Sequence, residues 1–297
     1  MKVTIYEPSK VLCIQFGSGL VGSAIDRKLS EISVTLSSVK TNWDNSAETI
    51  EQISQIQCGE FESIVIIWSA GKAGFNSSEG QTKKELDFFN SVIRYIKYKF
   101  DKQKFYFRFW LMSSAGGLHE GQTHVTDPNK NNTLRPYATL KLEQETSATS
   151  IFGINQIVIC RISSVYTKVN LSGRLGLISV LVQNGVKDKI STIFGSESTL
   201  RDYVLDDDIG QYVVDHLDTP LSGIQYLISG SSISIQFIKI SIERIILKKL
   251  LIRYAIKDLN SENISFSANL ISQGFTPSPF LSNLRILYYT VLNNSSL

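Results

Sequence analysis

The stretch KVLCIQFGSGLVGSAIDRKL, residues 10–29, decides how this chain folds. Residues 10–16 form a short apolar run, the pattern of a buried strand. Gly17-Ser-Gly19-Leu-Val-Gly22 follows at once, and residues 23–29 read as a helix. Strand, glycine turn and helix in that order supply the context that a GxGxxG pattern needs before it carries meaning. Glycines permit the tight turn and the close approach of backbone to a pyrophosphate. The helix N-terminus then offers N–H groups and the positive end of its dipole to the anion. Gly17, Gly19, Leu20, Val21 and Gly22 are therefore the residues expected to hold a dinucleotide.

Outward from this turn, strands and helices alternate. Strands are expected at 32–36, 61–68, 105–112 and 156–162, with helices at 49–57, 82–100 and 137–150. This alternation from 10 to 166 is what a doubly wound parallel sheet requires, an α/β fold of Rossmann type. In such a fold an acid about 20 residues after the first glycine accepts the adenosine ribose hydroxyls of NAD. That position falls on Ser37 and Ser38, with Lys40 close behind and no acid before Asp44. Small hydroxyls beside a lysine suit the extra 2′-phosphate of NADP, although Lys40 reads equally as a solvated loop residue.

The second informative stretch runs from Ser113 to Lys141. Ser113-Ser114-Ala115-Gly116-Gly117 closes a strand, and Tyr137-x-x-x-Lys141 opens a helix. Residues four apart leave the same face of a helix, one turn from each other. A free tyrosine has a pKa of about 10, and a close cation lowers such a value by roughly 1–3 units. A phenol tuned in this way can exchange a proton with an alcohol or a carbonyl, and an upstream serine hydroxyl could hold the same oxygen.

Beyond residue 170 the pattern loosens. Helix at 175–184, strand at 189–194, an acidic turn at 206–208, helix at 209–217 and strand at 225–228 are expected. A long amphipathic helix over 233–252 and two short helices within 267–275 and 281–292 complete the chain. The organisation expected is a dinucleotide-binding domain over 1–168, to which later segments return, and mainly a substrate lobe over 169–297.

Composition sets the outer limits. The chain has 297 residues, 42 % of them hydrophobic and 19 % charged, enough for a sizeable core. A net charge of +3 without a basic patch gives no reason to expect a nucleic-acid partner. Cys13, Cys58 and Cys160 are scattered and odd in number, which suits a reducing compartment, and no metal site is expected. Neither a cleavable leader nor a bilayer-length apolar run is evident, so a cytoplasmic protein without membrane insertion is expected.

With these pieces in order, nearly the whole chain resembles the extended short-chain dehydrogenase/reductases, in particular the NAD-dependent epimerase/dehydratase family of nucleotide-sugar enzymes. The markers are Gly17 to Gly22, Ser69-Ala70-Gly71-Lys72, Ser113-Ser114, Tyr137-x-x-x-Lys141, Arg161-Ile-Ser163-Ser164-Val-Tyr166, and Arg201-Asp-Tyr-Val. The resemblance implies a Rossmann domain binding NAD or NADP and a C-terminal lobe holding a nucleoside-diphosphate sugar. It implies Tyr137 as acid/base, Lys141 on the nicotinamide ribose, and Ser114, or second Ser113, on the substrate oxygen. Ala70, Gly71 and Lys72 would lie beside the cofactor, with Ser163 and Ser164 near the nicotinamide. Arg201 would contact the substrate diphosphate, or else pair with Asp202 or the acids at 206–208. His119 is read equally as a substrate contact or a solvated loop residue. A homodimer through the helices at 82–100 and 137–150 is also implied.

The chain departs from that family at three places. The first glycine of the usual GxxGxxG falls on Phe16; Gly117-Leu118-His119 stand where Val-Tyr-Gly is usual; and Ala115-Gly116 replace the Asp-Glu pair of many dehydratases. The last of these argues against a dehydratase. The activity expected is a nucleotide-sugar epimerase working by transient hydride transfer. An NADPH-dependent 4-keto-sugar reductase is the alternative, and a non-catalytic dinucleotide-binding relative is the third reading.

Overall fold

The structure is a computed structural model that describes residues 10–103, 106–169, 175–255 and 263–295. The first elements are β1 (Val11–Phe16), α1 (Leu20–Leu29), β2 (Thr35–Val39), α2 (Ser46–Gln55), β3 (Ser63–Trp68), α3 (Glu79–Lys102) and β4 (Phe107–Ser114). There follow α4 (Ala115–Leu118), α5 (Pro136–Phe152), β5 (Ile157–Ile162), β6 (Ser164–Tyr166), α6 (Leu177–Val186), β7 (Ser191–Phe194), β8 (Leu200–Arg201) and β9 (Tyr203–Leu205). The chain closes with α7 (Asp206–Asp215), β10 (Gly223–Leu227), β11 (Ile233–Ser234), α8 (Ile235–Ile246), β12 (Ile252–Ala255) and α9 (Phe280–Ser295). Two compact units result: Met1–Leu118 with Thr133–Arg161 and Gly210–Gln225, and His119–Asn132 with Ile162–Ile209 and Tyr226–Leu297.

The main sheet has the order β10-β5-β4-β3-β1-β2. β1 pairs in parallel with both β2 and β3, and β3 pairs in parallel with β4. The chain thus leaves β1 to one side and returns to continue on the other, so the direction of winding reverses at β1. Ligands bind at such reversal points, outside the carboxyl ends of the strands. Every residue of β1, β3 and β5 is buried, as a parallel sheet covered on both faces demands. On one face Phe16 stacks on Trp68 with centroids 5.0 Å apart, Trp68 meets Phe89 edge-on at 4.9 Å, and Phe109 stacks on Phe152 at 4.5 Å. This is the Rossmann-type fold that the alternation predicts.

Local chemistry sets the helix ends. Asn45 caps α2 through Ala47 N–H, and Ser78 with Gln81 forms a reciprocal capping box at α3. Pro136 opens α5, where its missing N–H costs nothing. Lys99 is buried and donates to the carbonyls of Ile53 and Ile56 at 2.5 and 2.7 Å, closing the C-terminal end of α2. Burial pushes the Lys99 ammonium pKa down, against the pull of the nearby Cys58.

The second unit packs Tyr166, Leu181, Ile238, Ile242, Leu284 and Leu287 into its own core. Small two-stranded pairs surround it: β6 with β9, β8 with β11, and β7 with β12. Asn283 donates to the Tyr166 hydroxyl at 3.2 Å, and burial raises the Tyr166 pKa to about 12.

Several expectations need correction. The strand predicted at 32–36 begins at Thr35, because Ile32 N–H returns to Leu29 O and the β-branched run is spent on the turn that closes α1. The acidic segment 206–208 is no turn but the first turn of α7, where carboxylates meet the positive helix end. The apolar run 233–252 is not one helix: α8 ends at Ile246, Leu247 takes left-handed backbone (φ 57), and Ile252 begins a strand parallel to β7. Of the helix expected within 267–275, only the short 3-10 turn Ala268–Leu270 forms. Phe105, the expected start of the fourth strand, lies outside the described residues. Among the described residues no helix is long and apolar enough to cross a membrane.

Candidate active site

The glycine turn shows why each glycine is there. Gly17 adopts φ +93, and a Cβ on it would lie 2.6 Å from the Ala70 Cα and N. A Cβ on Gly22 would lie 2.2 Å from the Gly17 carbonyl oxygen and 2.7 Å from Ser69 Oγ. Both positions exclude any side chain, one through backbone conformation and contact, the other through contact alone. Gly19 is different: a Cβ there would meet nothing within 4 Å, so the turn is open on this side. Gly19 also stands at the N-cap of α1, where the helix's first N–H groups lack intrahelical acceptors. Leu20 and Val21 form that first turn. A bare backbone, open space and uncommitted N–H donors together fit a pyrophosphate.

The turn after β3 is tied to this cradle. Ser69 Oγ donates to the carbonyls of Phe16 and Gly17 at 2.8 and 3.0 Å. Gln15 Nε2 donates to Gly22 O at 2.8 Å, holding the start of α1 from below. Glu85, buried on α3, accepts from the backbone N–H groups of Lys72 and Ala73 at 2.8 and 2.7 Å. A hollow of about 540 Å³ opens here, walled by Gly17, Ser18, Gly19, Ser69, Ala70 and Gly71 at one end and by Ser38 to Thr41 and Trp43 at the other.

The expected cofactor residues divide at this hollow. Ala70, Gly71 and Lys40 line it. Ser37 does not: it is on the opposite face of β2 from Ser38, since strand residues alternate, and Ser38 takes its place. Lys72 meets the rest of the protein through its backbone, and its side chain is exposed.

In the same unit, the end of β4 and the start of α5 bring Ser114, Tyr137 and Lys141 together. Gly117 is the pivot. A Cβ on it would lie 3.0 Å from Tyr137 Cε1 and 3.3 Å from Ser114 Oγ, so the phenol ring and the serine hydroxyl flank the same small residue. Gly117 N–H donates to Ser114 Oγ at 3.0 Å, which leaves the hydroxyl proton free to be donated. Ser113 is fully committed elsewhere. Its hydroxyl donates to Glu145 Oε1 at 2.5 Å, and Glu145 is paired with the buried Arg161 at 2.7 Å. Of the two serines only Ser114 belongs with the tyrosine.

Lys141 is 7 % exposed and places Nζ 5.9 Å from the centroid of the Tyr137 ring. It donates to Gln144 Oε1 at 3.1 Å and to Met112 O at 3.4 Å, leaving one of its three N–H donors. Three further neighbours join them. Phe75 meets Tyr137 edge-on at 5.5 Å, Arg135 lies 5.1 Å over Phe75 and donates to its carbonyl, and Gln144 orients Lys141. No spacing rule connects residue 75 to residue 137.

The remaining expected residues belong to the second unit. His119 is fully buried, with Nε2 2.7 Å from the Tyr226 hydroxyl and Nδ1 3.2 Å from Gln122 Oε1. Both ring nitrogens have partners and the side chain is buried, so of its two expected readings His119 is not a solvated loop residue. Ser163 is buried, and its Oγ has no partner among the described residues. Ser164 bonds through its N–H to Asp202 O. Arg201 is half-buried, with Nη1 donating to Leu200 O at 3.0 Å. Asp202 itself accepts from the N–H and hydroxyl of Ser229, both at 2.8 Å.

No family profile and no curated protein matches the chain. Solved structures do match it, over nearly its whole length. The UDP-glucose 4-epimerase of Thermus thermophilus, in complex with NAD, superposes with a TM-score of 0.77 at 16 % identity, covering 95 % of this chain and 99 % of that one. The ADP-L-glycero-D-manno-heptose-6-epimerase of Helicobacter pylori matches at 0.75 and 14 % identity, covering 100 % of both chains. The UDP-glucuronic acid 4-epimerase of Bacillus cereus, in complex with UDP-glucuronic acid and NAD, matches at 0.73 and 17 % identity, covering 95 % and 99 %. This chain therefore has the fold found in nucleotide-sugar epimerases.

Proposed function

We propose that this protein is a nucleotide-sugar epimerase that uses a bound nicotinamide dinucleotide, NAD or NADP, as a transient hydride acceptor. The observation that carries the reading is that Ser114 and Tyr137 flank Gly117, with Lys141 beside the phenol ring, on the same unit as the open glycine cradle. The fold shared with three epimerases, two of them complexed with NAD, supports it.

The dinucleotide, when bound, supplies reversible hydride transfer. The first-turn N–H groups of α1 and the bare surface of Gly19 would hold its pyrophosphate. Tyr137 takes the proton of the sugar hydroxyl and returns it to the carbonyl oxygen. Ser114 donates its free proton to that same oxygen. Lys141 puts a positive charge beside the phenol, where negative charge develops during the transfer, and its remaining donor is available to a ribose hydroxyl. Phe75 limits the orientations open to the Tyr137 ring. Ser163, with its unpartnered hydroxyl, and Arg201 are proposed as further cofactor and substrate contacts. A cytoplasmic homodimer through α3 and α5 completes the reading, and sedimentation showing only monomer would remove the dimer.

The alternative is a reductase of a 4-keto nucleotide sugar that consumes NADPH, favoured by the lysine and hydroxyls at the end of β2. A panel of UDP-, GDP-, dTDP- and ADP-sugars together with their 4-keto derivatives separates the two. Isomerisation without net change in nicotinamide absorbance is expected. Stoichiometric NADPH consumption would establish the reductase instead, and no turnover on any sugar would overturn both.

A further inference from the structure

One edge of the second unit exposes side chains that do not serve its core. β7 and β12 run in parallel, with Ile252 opposite Ser191 and Ala255 opposite Phe194, so the segments that lead into the two strands lie side by side. Ser191 N–H donates to Leu251 O at 2.8 Å, and Lys248 pairs with Asp188 at 2.9 Å, joining residues 187–190 to residues 247–251. Glu243 on α8 fixes the second segment, accepting from Leu250 N–H at 3.1 Å and from Lys249 Nζ at 2.9 Å. Leu250 is buried, and a Cβ on Gly185 of α6 would lie 2.5 Å from its Cδ2. The neighbouring aliphatics are not buried: Leu247 is 88 % exposed, Ile190 64 % and Leu251 50 %.

Leu247 is the least expected of the three. It takes left-handed backbone (φ 57) where α8 ends, a place usually filled by glycine or asparagine because a Cβ crowds the carbonyl oxygen there. A leucine in that conformation with its side chain in water weakens the fold twice, through strain and through exposed apolar surface. Around the aliphatics, Lys187, Lys189, Lys248, Lys249 and Arg253 are exposed, against one exposed carboxylate, Asp188, in the same segments. Such a surface does not suit a second copy of this chain. A two-fold contact would bring lysines against lysines, and three aliphatic residues fall far short of the roughly 20–30 residues a side of a stable interface. Lysine is also depleted from protein–protein interfaces in general. A lipid surface reverses each of these points. Aliphatic tips need reach only the boundary between headgroups and acyl chains, lysine stems lie alongside them, and the ammonium groups meet anionic headgroups.

We propose that this edge is a peripheral docking surface for an anionic lipid bilayer, with Ile190, Leu247 and Leu251 resting in the headgroup layer and the flanking lysines neutralising its charge. The contact requires no spanning helix, and none is present among the described residues. It does not rest on the proposed activity, since none of these residues is a cofactor or substrate contact in that reading.

Flotation of the purified full chain with phosphatidylcholine vesicles, with or without about one third phosphatidylglycerol, tests this. Binding to the anionic vesicles is expected to be at least about tenfold stronger, and to fall as salt rises from about 0.05 to 0.5 M. Leu247→Asn with Leu251→Ser should lower that binding by about tenfold or more. Thermal unfolding should show the Leu247→Asn chain at least as stable as wild type, because asparagine tolerates the left-handed backbone, so the loss of binding is not a loss of fold. Lys187→Glu with Lys189→Glu should remove the preference for anionic vesicles. Binding that is equal on both vesicle types, absent from both, or unchanged in the two double variants would overturn the proposal. A concentration-dependent dimer disrupted by Leu247→Asn with Leu251→Ser would overturn it as well and assign the edge to a second copy.

Discussion

The two ends of the candidate site in the first unit are built on opposite principles. At the glycine end the backbone is the working surface, and side chains are excluded: a Cβ on Gly17 or Gly22 would lie 2.6 or 2.2 Å from main-chain atoms. At the tyrosine end the backbone is scaffold, and two side chains from two elements flank Gly117, with Lys141 beside the phenol. The first end is governed by local conformation, so its residues are contiguous. The second is governed by packing, so Ser114 is joined to residues 137 and 141 by contacts that no local rule supplies. Removing a side chain should therefore harm one end, and adding a side chain should harm the other.

The largest effect is expected from Tyr137→Phe. Turnover should fall by about 100- to 10,000-fold, the usual worth of a positioned acid/base group, with dinucleotide binding in calorimetry close to wild type. Wild-type rates in this variant would end the proposed mechanism. Adding atoms at the opposite end should produce the converse pattern. Gly22→Val forces its side chain against Gly17 O and Ser69 Oγ, so dinucleotide binding should be lost and thermal unfolding should show about 1–3 kcal/mol of destabilisation. A variant that binds normally would mean that the cradle relaxes around the new side chain and that its shape is not the binding determinant.

The neighbouring serines sharpen the comparison inside the tyrosine end. Ser114→Ala should lower turnover by about tenfold or more through loss of one hydrogen bond to a charge-bearing oxygen, with stability nearly unchanged. Ser113→Ala should do the reverse, costing about 1–3 kcal/mol in denaturant titration because it withdraws a donor from the buried Glu145–Arg161 pair. If both variants lose activity alike, the two hydroxyls are not divided as the structure divides them.

The smallest effect concerns Asp26. Burial holds its carboxyl above the ordinary value of 3.8, with Arg27 acting in the opposite direction. The folded chain thus keeps this proton to higher pH than the unfolded chain. The associated stabilisation is complete below 3.8 and is lost as pH rises through the raised value. Asp26→Asn should therefore be slightly more stable than wild type at neutral pH, with the difference closing under acid. A pH-independent difference would trace the effect to packing instead of protonation.

Much of the first end is legible in the sequence. The strand, glycine turn and helix at 10–29 are one contiguous signal, and steric exclusion at Gly17 and Gly22 is the reason that such a signal exists. The pairing of Tyr137 with Lys141 was also legible, because helical periodicity carries it. Other readings failed where a local pattern was overruled by distant partners. Ile32 to Val34 has the composition of a strand yet closes a helix, and the apolar run at 233–252 breaks at Leu247 because its last residues pair with β7. His119, conspicuous in a polar loop, is consumed by Tyr226 more than a hundred positions away.

By itself the sequence determined the alternation of strand and helix, the bare-backbone turn and the tyrosine–lysine spacing, because each depends on residues within a few positions of one another. Only the tertiary structure decided between Ser113 and Ser114, placed Phe75 against the phenol, and set Lys40, not Ser37, in the wall of the hollow. Those outcomes depend on which groups the packed chain leaves unsatisfied, and a buried hydroxyl or ammonium takes its partner from whatever element the fold brings beside it.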